Sequence, residues 1–199
     1  MAKKVDHEER RREIVAKALR LFSKVGYDNV SLIMIAASCG VSRTILYRYF
    51  CSKREVMDAA ISSVIEKIEV RCSLLMRDRE RAAVRLERVC HAVAEEMYAN
   101  REFLTAVFDF VVGMVRTGSD MNKGISDYTS GTRNAIKRLI AIGKREGDFP
   151  DILIEERTTD ALYAEFESCA MRIVLGTERT ADQAKVRFSD VVHALSLWK

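Results

Sequence analysis

Between Ser31 and Lys53 the chain reads SLIMIAASCGVSRTILYRYFCSK, two helix-start signals on either side of one glycine. Ser31 is placed to cap a helix, its hydroxyl taking up a backbone N–H that the first turn leaves free. Leu32, Ile35 and Ala36 give that helix a buried stripe. At Cys39-Gly40-Val41 the pattern breaks, and Gly40 supplies the left-handed backbone conformation that costs other residues energy. Ser42 then caps a second helix, anchored by Ile45, Leu46 and Phe50. Arg43, Thr44, Tyr47, Arg48 and Tyr49 are left to face outward, at least in part.

An arginine- and tyrosine-bearing helix at a tight helical turn suits the DNA major groove. The groove admits one helix, Arg donates two hydrogen bonds to a guanine edge, and Tyr hydroxyls reach phosphates. An ordinary helical hairpin with a polar face shares the same spacing. Charge favours DNA. Residues 1–54 hold 12 Lys/Arg against 5 Asp/Glu, a net +7, and residues 55–199 hold 21 against 24, a net −3, which together give the chain its +4. A basic quarter on a mildly acidic body implies an anionic partner for that quarter alone. A membrane surface fits less well, because the basic residues share no amphipathic face with large apolar anchors.

The residues from Arg11 to about Ile61 resemble the DNA-binding domain of the TetR/AcrR family of bacterial transcriptional regulators. The resemblance lies in Arg12, Ile14, Ala18, Leu21-Phe22, Gly26-Tyr27, Ser31, Ile35-Ala36, Gly40-Val41-Ser42, Leu46-Tyr47-Arg48-Tyr49-Phe50 and Ser52-Lys53. So many matches at fixed spacing form a specific signal. Ile33 and Met34 depart from it, standing where the family often has charged residues; Cys39, Thr44 and Arg54 depart from it too. The resemblance implies a DNA contact set of Ser31, Ser42, Arg43, Thr44, Tyr47, Arg48, Tyr49 and Lys53, with Tyr49 and Lys53 on phosphates. It also implies an all-α fold of about nine helices, a DNA-binding domain at 1–54 and an effector-binding and dimerisation domain at 55–199.

The remaining chain reads as helical throughout, since the whole sequence holds one proline and nine glycines to interrupt helices. A first helix is predicted over 10–24, after a polar tail in which Lys3 and Lys4 form a basic arm or are simply solvated. Ser52 caps a long helix to about residue 78, followed by helices over 80–97, 101–115, 121–146, 152–175 and 179–198, with a loop at 116–120. Glu102, Asp109 and Arg116, seven apart, fall on one face that reads as solvated. Met97, Phe103, Phe108, Met114, Tyr128 and Phe166 are candidate ligand-pocket residues for an apolar or aromatic effector. For each, a core position is the commoner role of an aromatic or Met at helical spacing. Leu162, Phe166, Cys169 and Ile173, with Ala184, Phe188, Val191 and Leu195, form a heptad seam. Such a seam closes the chain's own core or meets a second copy, and a palindromic site favours the homodimer.

No Gly-rich phosphate loop, metal-ligand cluster or partnered nucleophile stands out, and His7, His91 and His193 are far apart, so an enzyme is not expected and no cofactor is implied. The five cysteines are scattered, without a CxxC pair, which reads as free thiols ahead of a redox switch. No apolar run spans a bilayer, and the charged start MAKKVDHEERRRE argues for the cytoplasm. The expected function is a ligand-responsive repressor released from double-stranded DNA by a small molecule. The alternative is a helical small-molecule-binding or scaffolding protein with a weak DNA head, which Ile33 and Met34 encourage.

Overall fold

The computed structural model describes the backbone of residues 2–117 and 121–197 and the side chains of residues 7–117 and 129–196. Among these residues all regular structure is α-helical: α1 (Ala2–Val25), α2 (Leu32–Cys39), α3 (Arg43–Tyr47), α4 (Lys53–Leu75), α5 (Ala82–Ala99), α6 (Arg101–Arg116), α7 (Met121–Glu146), α8 (Glu155–Val174) and α9 (Ala181–Leu197). The chain divides into two compact units, Met1–Val64 with Glu102–Asn122, and Ile65–Arg101 with Lys123–Lys199. The side chains of Lys3, Lys4 and Tyr128, and residues 118–120 of the loop predicted at 116–120, lie outside the described residues.

The first helix is longer than the predicted 10–24. Residues 2–10 contain no glycine, proline or capping Ser/Thr, and Ala, Lys, Glu and Arg are good helix formers, so nothing stops the helix short of its start. In the first unit Ile14, Ala18 and Phe22 of α1 meet Ile35, Leu46, Phe50, Val56 and Ala60 in one buried core. Phe103, Ala106 and Phe110 of α6 belong to the same core. Tyr27 fills the space between Phe22 and Phe110, with ring centroids 5.8 and 4.8 Å away.

In the second unit α5 lies against both α8 and α9. Leu86, Val89, Cys90 and Val93 are buried on α5, Leu162, Phe166, Cys169 and Ile173 on α8, and Ala184, Phe188 and Val192 on α9. The Phe166 and Phe188 rings are 4.7 Å apart. The start of α5 has no capping side chain of its own. Its Ala82 and Ala83 N–H groups donate instead to the carboxylates of Glu146 (2.9 Å) and Asp148 (3.1 Å). Two negative charges thus sit at the positive end of the helix dipole, and Arg81 and Arg85 pair with them. Gly143 permits this approach: a Cβ there would lie 2.4 Å from the Phe149 ring.

The seam expected to meet a second copy is therefore corrected for its central residues. Leu162, Phe166, Cys169, Ile173, Ala184 and Phe188 are buried by the chain itself, and a side chain with no exposed area has none to bury in a dimer. Val191 and Leu195 are only half-buried. The outer faces of the same helices carry the exposed apolar groups instead: Met171 at 45%, Leu175 at 68% and Val186 at 62%.

Candidate nucleic-acid interface

The turn between α2 and α3 is built from local hydrogen bonds. Ser31 Oγ accepts from the Met34 N–H at 3.2 Å, and Ser42 Oγ accepts from the Ile45 N–H at 3.2 Å. Gly40 sits at φ 66°, where its N–H donates to the Ala37 carbonyl and the Val41 N–H to the Ala36 carbonyl. The start of α4 is closed by a variant of the capping box: Ser52 Oγ accepts from the Glu55 N–H at 3.1 Å, while the Glu55 carboxylate accepts from the N–H of Cys51, one residue before the cap, at 2.7 Å. Ile35, Leu46 and Phe50 anchor the motif from below. The hydroxyl oxygens of Ser31 and Ser42 thus already accept backbone N–H bonds within the fold.

The outward groups are arranged as follows. Arg43, Thr44, Tyr47 and Arg48 are exposed. Arg43 Nη2 donates to the Tyr47 hydroxyl at 2.9 Å, and the guanidinium lies 5.2 Å from the centre of the Tyr47 ring. This pair holds both side chains in one orientation. Tyr49 is half-buried and stacked on His7, centroids 4.5 Å apart. The Lys53 ammonium donates to the Tyr27 carbonyl at 2.9 Å and lies 4.2 Å from the Tyr27 ring centre. Burial, with Asp58 and Asp28 nearby, pushes the Tyr27 phenol up, so a neutral ring faces that cation. Lys53 also donates to the Asp28 carbonyl at 3.4 Å, which leaves one of its three N–H donors for an outside anion.

Ile45 corrects an expectation. The sequence pattern puts it among the anchors of the second helix, but it is 40% exposed, because its neighbour Leu46 alone points inward from the single turn of α3. Ile33 is 61% exposed and Met34 is also exposed. From Val30 to Arg54 the sequence contains no Asp, Glu, Asn or Gln. The outer face of the motif is therefore cationic, hydroxylic and apolar, with no carboxylate or side-chain amide.

The candidate pocket residues are distributed over both units. Phe103 is buried in the core of the first, with Met114 packed against it. Phe166 is buried in the second, with Tyr163 edge-on at 5.5 Å and Phe188 on it. Met97 and Phe108 are half-buried. Glu102, Asp109 and Arg116 are all exposed, as the solvated-face reading requires. His91 Nε2 lies 3.1 Å from the Lys185 carbonyl and 3.0 Å from Ser189 Oγ, a bridge between α5 and α9. Among the described residues no group of three or more His, Cys, Asp or Glu side chains is set to hold a metal ion. No helix among them is long and apolar enough to cross a membrane. Cys51 alone of the five cysteines is exposed; burial pushes the thiols of Cys72 and Cys169 up to about 11 and that of Cys90 higher.

Residues 14–60 match the family described as bacterial regulatory proteins, tetR family. The HTH-type transcriptional regulator HbdR of Aromatoleum sp. is 34% identical over 86 residues, which cover 43% of this chain and 36% of that protein. The chain thus spans about a third of that relative's length. The nucleoid occlusion factor SlmA of Marinobacter nauticus is 28% identical over 160 residues, 78% of this chain and 77% of that protein. In fold, the chain matches the transcriptional regulator FadR from Bacillus subtilis, solved in complex with stearoyl-CoA, with a TM-score of 0.76 at 14% identity, over 94% of this chain and 97% of that one.

Proposed function

Because this chain belongs to the TetR/AcrR family of bacterial transcriptional regulators, we propose that it is a ligand-responsive repressor that binds a palindromic operator as a dimer and is released by a small molecule. The observation that carries the reading is the outer face of the motif. A capped, core-anchored helix presents Arg43, Tyr47 and Arg48 from a segment free of carboxylates. Arg43 and Arg48 are suited to guanine edges or phosphates, and the Tyr47 hydroxyl to a phosphate. Lys53 and Tyr49 serve chiefly to hold the motif, with their outward-facing atoms left for the DNA backbone.

The effector is proposed to enter the helical body C-terminal to the motif. Phe- and Met-rich helices suit an apolar or aromatic molecule, and the Bacillus subtilis FadR of similar fold was solved with stearoyl-CoA. The effector has to bind the arrangement that does not fit DNA more tightly than the one that does, since only differential affinity shifts the equilibrium. α4 is the route for that shift: one continuous helix from Lys53, at the motif, to Leu75. The second copy is assigned to the outer faces of α8 and α9, where Met171, Leu175 and Val186 are exposed.

Footprinting over genomic fragments at two salt concentrations tests the reading. A protected near-palindrome that persists at the higher salt is the expected result. Tyr47→Ala should lose it while the melting transition moves by less than about 0.5 kcal/mol, the usual range for a surface site. Diffuse binding that disappears with salt would leave only the counterion-release contribution. It would overturn the reading in favour of a helical ligand-binding protein with a weak DNA head.

A further inference from the structure

We infer that Ile45 reads thymine through its 5-methyl group, so that each operator half-site is a guanine contact set among thymines. The inference rests on the DNA-binding reading above and adds the base chemistry that the motif is able to recognise.

Major-groove edges offer a short list of partners. Guanine presents two acceptors, which suit Arg or Lys. Adenine presents an acceptor and a donor, which suit Asn or Gln. The cytosine amino group suits Asp or Glu, and thymine adds a methyl group that suits an apolar side chain. Val30 to Arg54 contains none of the four residue types that read adenine or cytosine with a side-chain amide or carboxylate. What remains on the exposed part of α3 is Arg43, Thr44, Ile45 and Tyr47, with Arg48 at its end.

The structure narrows the list further. Arg43 and Tyr47 are tied together by a 2.9 Å hydrogen bond, which fixes the guanidinium and leaves it other N–H groups for a guanine edge. Ser42 Oγ is occupied in capping the helix, so it is not a free reader. Ile45 follows that cap on the same helix and is 40% exposed, although the sequence pattern would have it buried. An isoleucine facing a wet phosphate surface gains nothing, whereas facing a thymine methyl it removes apolar area from water on both sides. Its β-branch holds χ1 in one rotamer, so little side-chain freedom is lost on contact. The Thr44 methyl, next to it and also exposed, extends the same apolar edge.

The test separates this inference from the function it rests on. Duplexes are first selected from a random pool with the full chain. Each thymine of the winning half-site is then replaced singly by deoxyuridine, which deletes one methyl and changes no hydrogen-bonding group. The expected result is about a fourfold weaker binding at each contacted thymine, the factor corresponding to one buried methylene-sized group. Ile45→Ala should bring that thymine-to-uracil ratio close to one at the position it reads, and Ile45→Val should keep most of it; matching melting transitions confirm that both variants are folded. Unchanged affinity on every uracil duplex overturns the inference while the regulator reading stands. So does an Ile45→Ala ratio equal to that of the wild type, which would leave the exposed isoleucine to a protein partner. A pool from which no sequence is enriched overturns the DNA-binding reading itself.

Discussion

The helix-turn-helix and the α8–α9 pair are both built from short-period apolar stripes, but they are held in opposite ways. In the motif, a shared core anchors the helices, but the turn and the helix starts are set by bonds three to five residues apart: Ser31 to Met34, Val41 to Ala36, Ser42 to Ile45, Ser52 to Glu55. In α8–α9 it comes from a contact between residues far apart in the chain, Phe166 on Phe188. A motif held by local bonds can leave its outer side chains free for another molecule. Helices held by their inner stripes have to spend those stripes on the core they share, here against α5, and only the outer face remains for a partner.

That contrast predicts effects of very different size. The largest is expected at the inner seam. Phe188→Ala should cost about 3–5 kcal/mol of folding free energy, the range for truncating a fully buried aromatic, read as a loss of urea midpoint at constant slope. On the outer face, Leu175→Glu with Val186→Glu should leave the monomer's fold largely intact and shift sedimentation from dimer to monomer. A large midpoint loss from the outer pair, or a small one from Phe188→Ala, would collapse the distinction between the two faces. In the motif, Ser42→Ala should cost about 1 kcal/mol, since it removes one cap and leaves the core untouched. Its effect on DNA affinity should exceed its effect on stability, because α3 is a short helix whose start is fixed by that hydroxyl.

The smallest expected effect concerns pH. The hydrogen bond from Arg71 holds the Glu95 carboxyl below its ordinary range, with Lys185 adding to it. A carboxyl with a folded pKa below its unfolded one contributes stability that is present above the unfolded value and lost as pH falls through the folded one. Both partners are more than a third exposed, so the contribution is within about 1 kcal/mol. Arg71→Met should therefore lower the urea midpoint slightly at neutral pH, and the gap to wild type should close below the carboxylate range. A gap that persists unchanged in acid would mean that Arg71 acts through packing alone.

Much of the helical order could be read from residues. Gly40 between two serines marks a turn with a mechanism, and Ser52 marks the start of α4. Less of the interface was readable. The apolar spacing reads Ile45 as an anchor, but neighbouring residues of an α-helix point about 100° apart, and Leu46 takes the inner place. Lys53 was expected chiefly at phosphate, and its hold on the Tyr27 carbonyl, across twenty-six positions of sequence, has no signal in either residue alone. The carboxylates of Glu146 and Asp148 cap α5 from across the second unit, although the sequence marks them only as a helix end and a break.

By itself the sequence determined which segments are helical, where the turn of the motif falls and which quarter of the chain carries the positive charge. Those properties depend on backbone propensity, on side chains within one helical turn and on net charge, and all are set by neighbours along the chain. The tertiary structure alone decided which face of α8 and α9 is used internally, which motif side chains are tied down and which are left exposed. Those depend on what lies opposite each side chain once distant segments have packed, because an apolar stripe specifies that it will be buried and leaves open against what.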